Sequence, residues 1–134
     1  MTFGEHLILD CTGMNDNMSN KEEIQKFIDE LVNDVLKMKK KGDTVFEYFE
    51  DNEYNRERDI VGYSVVQVIS LSSIVLHLND ISRTGYIDIF TCGDLKLDDI
   101  TSCINRYFSP DTMKKIMILR DGNYGPVILP FENE

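Results

Sequence analysis

The sequence predicts an α+β fold, a two-layer α/β sandwich in which an antiparallel sheet carries two helices on one face. Two segments repeat apolar residues at helical spacing. Several short runs rich in β-branched residues read as strands, two of them separated by very few residues. No repeat, low-complexity tract or linker interrupts the 134 residues, so one domain over 1–134 fits the length.

Taken in order, Glu5–Cys11 is a short apolar run suited to a strand. Asn20 followed by Glu23 resembles a capping box, and Ile24, Phe27, Ile28, Leu31, Val35 and Leu36 recur on one face, predicting a long amphipathic helix that runs to Gly42. Thr44–Phe49 alternates like a strand. Glu50–Asp59 is a charged connector without periodicity, expected to be mobile. Gly62–Ile69 and Ser73–Asn79 predict an antiparallel hairpin, and Thr84–Cys92 a further strand. Lys96–Phe108 predicts the second helix, Lys114–Leu119 a strand, Asp121-Gly122-Asn123 a turn, and Pro126–Phe131 a short extended end.

Composition narrows the function. Fourteen Lys and Arg against 24 Asp and Glu give a net charge of −10, which argues against nucleic acid as the partner and favours cationic small molecules. The basic cluster Lys37-Met38-Lys39-Lys40-Lys41 falls at the expected helix end, where cations complement the helix dipole. The absence of a membrane-length apolar run and of a basic secretory start leads to an expectation of a cytoplasmic protein. Cys11, Cys92 and Cys103 match no zinc spacing, and with His6 and His77 as the only histidines no metal site is expected. Free thiols are expected, one of which can serve chemistry.

If the hairpin turns about Ser70-Leu71, residues whose numbers sum to 141 stand opposite each other, and Ser64 pairs with His77 on one sheet face. Read from the residues alone, a serine and a histidine so placed are a satisfied polar pair on a solvated face.

Four blocks carry a family resemblance: Gly4-x-His6-Leu7, Gly62-Tyr63-Ser64-Val65-Val66 with Ile69-Ser70, Ser72-Ser73-Ile74-Val75-Leu76-His77, and Ile87-Asp88-Ile89-Phe90-Thr91-Cys92-Gly93. In order and internal spacing they resemble the bacterial and archaeal type of S-adenosylmethionine decarboxylase, a pyruvoyl enzyme made as a proenzyme. The resemblance implies self-cleavage between Leu71 and Ser72: the serine attacks the preceding carbonyl, an ester forms, and elimination and hydrolysis leave a pyruvoyl group derived from Ser72. It implies processing roles for Ser64 and His77, and it makes Cys92 the proton donor to the product carbon. An unperturbed thiol, with a pKa of about 8.5, can donate at neutral pH. The pyruvoyl ketone stands in for pyridoxal phosphate by condensing with the substrate amine as a Schiff base and accepting the electrons released when carbon dioxide leaves.

The resemblance further implies a homodimer, αββα with sheet against sheet, in which Ser64 and His77 of one chain act beside Ser72 and Cys92 of the other. The expected reaction supplies the aminopropyl donor for spermidine synthesis. The chain also departs from the family pattern. Leu71 replaces the usual glutamate before the cleaved serine, Ser73 a common histidine, and Asp80-Ile81 a Pro-Glu pair whose glutamate binds ribose hydroxyls. Asp80 is the one carboxylate near that position, and Phe46, Tyr48, Phe49 and Tyr54 are candidates for the aromatic contact to adenine or sulfonium. Two other readings stand beside the first: the same chemistry on arginine or ornithine, and an uncleaved, non-catalytic homologue acting as a binding or regulatory subunit.

Overall fold

A computed structural model describes residues 3–129. Its sheet has seven antiparallel strands in the order β2-β3-β4-β5-β1-β6-β7. These are β1 (Gly4–Thr12), β2 (Val45–Phe49), β3 (Gly62–Ile69), β4 (Ser72–Asn79), β5 (Thr84–Thr91), β6 (Thr112–Arg120) and β7 (Val127–Leu129). Helices α1 (Lys21–Glu30) and α3 (Leu97–Phe108) form the second layer, and a short helix α2 (Glu53–Glu57) lies between β2 and β3. The α+β sandwich expected from the sequence is the fold observed.

Strand periodicity sorts the side chains into two faces. Leu7, Leu9, Cys11, Val65, Ile74, Leu76, Leu78, Ile87 and Ile89 point into one core with Ile24, Phe27 and Ile28 of α1 and Ile100, Cys103, Ile104 and Phe108 of α3. Phe27 meets Phe108 edge to face at 5.0 Å, the preferred aromatic geometry, at the crossing of the two helices. Beside it Glu30 accepts from Arg106, Cys103 and Tyr107, and the Arg106 guanidinium holds its carboxyl below the usual glutamate range. The other face of the sheet is not covered by α1 or α3, whose buried residues belong to the core on the first face. There Val45, Val66, Val68, Tyr86, Ile116 and Ile128 are exposed.

Two expected segments differ. The first helix does not reach Gly42: after α1 the backbone widens into a π turn over Leu31–Val35, Lys37 adopts a left-handed φ of 55°, and Met38 N–H turns back to Val32 O. The lysine cluster therefore lies beyond the helix, where Lys40 pairs with Asp29 and bridges to Ile69. The connector expected to be unstructured contains α2, because the Asn52 side chain caps the Asn55 N–H and Arg56 pairs with Asp51. Of the expected extended end, β7 covers Val127–Leu129, and residues 130–131 of that expectation lie outside the described residues. The Asn20 side chain caps the α1 N-terminus, accepting from Glu22 and Glu23 N–H. Among the described residues no helix is long and apolar enough to cross a membrane.

Candidate functional site

The hairpin of β3 and β4 turns at Ser70-Leu71, so its register opposes Ser64 to His77, as the sum of 141 requires. Ser64 Oγ and His77 Nδ1 are 2.9 Å apart on the sheet face opposite α1 and α3. Gly62 sets the entry to β3: its φ is +140°, and a Cβ there would stand 2.2 Å from Leu78 O, so only glycine lets β3 approach β4 two residues before Ser64.

Ser72 lies at the start of β4, on the opposite face from His77, since five positions separate them. It is 7% exposed and donates to Thr91 Oγ1 at 3.0 Å. The residue before it, Leu71, is 69% exposed with φ +54°, a left-handed conformation that costs a non-glycine residue about 1–2 kcal/mol. Cys92 follows β5 and is exposed, whereas Cys11 and Cys103 are buried and burial pushes each thiol up to about 12. Gly4 makes room for the Cys92 segment, because a Cβ on it would fall 1.9 Å from Thr91 O and 2.7 Å from Cys92 Cα. Glu5 accepts from Leu95 N–H at 2.7 Å and fastens the loop after Cys92.

Within one chain, then, the four residues form two groups. Ser72 and Cys92 stand at one end of β4 and β5, and Ser64 and His77 lie five residues further along β4, about 17 Å away at the usual strand rise.

A cavity of about 530 Å³ opens beside the Ser64–His77 pair, lined among others by Phe49, Arg58, Asp59, Asn79 and Tyr86. That volume lies within the usual range for a small-molecule pocket. Of the aromatic candidates only Phe49 lines it. Phe46 packs on Tyr63, Tyr48 packs on Tyr63 and donates to Asp80 at 3.4 Å, and Tyr54 lies under the Arg58 guanidinium. Asp80 is outside the cavity lining, and its Oδ1 is buried with no partner among the described residues. Sequence reasoning missed Arg58, Asp59, Asn79 and Tyr86. The first two sit in a connector without periodicity, while Asn79 and Tyr86 share the alternation of Ser64 and His77 and follow from the register once the site face is chosen. It also missed the pair of His6 Nε2 and Asp88 Oδ1, 3.1 Å apart in the middle of that face.

A sequence search among curated proteins returns no match. Among solved structures the fold is similar to the crystal structure of the adenosylmethionine decarboxylase from Aquifex aeolicus VF5, with a TM-score of 0.72 at 18% identity over 99% of this chain and 98% of that one. A family model described as S-adenosylmethionine decarboxylase matches residues 5–121, a span that holds the last three motif blocks and all of the first but Gly4, and the chain therefore belongs to the S-adenosylmethionine decarboxylase family.

Proposed function

We propose that the protein is a self-processing, pyruvoyl-dependent decarboxylase of S-adenosylmethionine, a carboxy-lyase that supplies the aminopropyl donor for spermidine synthesis in the cytoplasm. The observation that carries the reading is the 2.9 Å contact of Ser64 and His77, the two residues for which the resemblance implies processing roles.

The residues present fit a pyruvoyl group at position 72. The peptide to be cut joins Leu71 and Ser72 at an exposed hairpin tip, so cleavage leaves β4 held by β3 and β5 along its length. Left-handed Leu71 raises the energy of the intact turn, and breaking the bond releases that strain. The attacked atom is a backbone carbonyl, so leucine in place of glutamate does not remove the chemistry. When formed, the group supplies an electron sink for the charge left by departing carbon dioxide. Cys92, an exposed thiol at the same end of the sheet, is the proposed donor of the proton to the product carbon.

The two separated groups of site residues support a homodimer with sheet packed on sheet. Ser64 and His77 of one protomer then serve the exposed Leu71–Ser72 end of β4 and Cys92 of its partner, with the apolar residues of the Ser64–His77 face at the surface that joins them. In the cavity, Phe49 and Tyr86 offer rings for adenine or the sulfonium, and Asp59 and Asn79 offer hydrogen bonds. Asp80, the sequence candidate for a ribose contact, is outside the cavity lining with its Oδ1 buried, so a ribose role for it would need the loop after β4 to move.

One observation favours a second substrate: Ile81 occupies the position of the family's ribose-binding glutamate, and an aliphatic side chain accepts no hydroxyl. Arginine or ornithine needs no such contact. Release of labelled carbon dioxide from S-adenosylmethionine, arginine and ornithine separates the readings. Preference for S-adenosylmethionine is the expected result, and preference for a basic amino acid establishes the second. An intact chain that releases nothing from any of them marks a non-catalytic homologue.

A further inference from the structure

Ser72 is held by a neighbour that no motif role covers. Thr91 is fully buried, and its Oγ1 accepts two hydrogen bonds, from Ser72 Oγ at 3.0 Å and from Gly93 N–H at 3.2 Å. Its own hydrogen faces Met38 Sδ, a weak acceptor, 4.0 Å away. Both lone pairs of the threonine oxygen are thus committed, one to the precursor serine and one to the loop that carries Cys92.

We propose that Thr91 is a positioning residue for self-cleavage, an inference that rests on the pyruvoyl reading above. A serine next to a turn samples several rotamers, and an acceptor enclosed away from water selects one of them. Because the Ser72 hydrogen is directed at Thr91, the oxygen lone pairs are left for the backbone. In the step itself Ser72 Oγ bonds to the Leu71 carbonyl carbon, the bond from that carbon to the Ser72 nitrogen breaks, and the hydroxyl proton ends on that nitrogen. Thr91 keeps its own proton throughout and acts by orientation, which converts a loosely held nucleophile into one aligned with its target. Its second bond, to Gly93 N–H, fixes the start of β4 against the Cys92 loop, so one hydroxyl sets up cleavage and the spacing used after it.

The test is the rate of chain cleavage during cell-free synthesis, followed on denaturing gels, for the natural chain and for Thr91→Val, Thr91→Ser and Thr91→Cys. Valine keeps the shape and removes the acceptor, so cleavage is expected to slow by about tenfold or more, while serine restores it to within about threefold, the scale of one hydrogen bond. Circular dichroism and thermal melts establish that each variant is folded. Should the valine variant not fold, the cysteine variant, with its poorly accepting sulfur, is read in its place. A folded valine or cysteine variant that cleaves as fast as the natural chain overturns the proposal, as does a serine variant as slow as the valine one. A natural chain that stays intact overturns the pyruvoyl reading and this inference with it. A natural chain that cleaves no faster than its valine variant overturns the role of Thr91 alone.

Discussion

Cys92 differs from the other two thiols in its surroundings more than in its chemistry. It is exposed, whereas burial pushes Cys11 and Cys103 up to about 12 and keeps them protonated and out of reach. Iodoacetamide is therefore expected to add one group to the folded chain, at Cys92, and three after denaturation, as read by peptide mass mapping; equal labelling of all three thiols in the folded protein contradicts the assignment. Cys92→Ala is expected to leave cleavage intact and to lower turnover by about 10²–10⁴-fold, the usual range for a lost general acid. Equal turnover would remove Cys92 from the chemistry.

At the scale of elements, the site depends on how closely strands approach. Gly4 is part of the first motif block because β1 runs against the end of β5 with no space for a Cβ, 1.9 Å from Thr91 O. Gly4→Ala must push these strands apart next to Cys92, and a loss of about 1–3 kcal/mol, the usual cost of overpacking, is expected in thermal or urea unfolding; an unchanged midpoint contradicts the geometry. The same scale explains what the sequence made legible. Period-two runs with a short turn were enough to pair Ser64 with His77, because a one-residue slip would have turned Val65, Leu76 and their neighbours out of the core. The end of α1 was not legible, since Leu31, Val35 and Leu36 keep their helical spacing while a π turn and left-handed Lys37 stop the helix. Nor was α2, a five-residue helix with no buried residue and hence no apolar signature. The cavity wall built from Arg58 and Asp59 was hidden with it.

For the whole molecule, the separation of Ser64 and His77 from Ser72 and Cys92 within one chain is the main geometric constraint. If the pairs meet across a dimer, His77→Ala and Ser72→Ala chains, each uncut alone, are expected to complement when co-expressed: the His77→Ala chain keeps Ser72, borrows His77 from its partner and is cut. Absence of cleavage in the mixture, with dimers present by light scattering, contradicts a shared site. The net charge of −10 has a place in the same picture, since the proposed substrate is a cation that diffuses to an acidic surface. The account stands on self-cleavage at the hairpin tip, and intact mass spectrometry of the purified protein measures it directly. Two fragments, residues 1–71 and residues 72–134 beginning with a pyruvoyl group, are predicted; a single 134-residue chain with an unmodified serine at position 72 would contradict it.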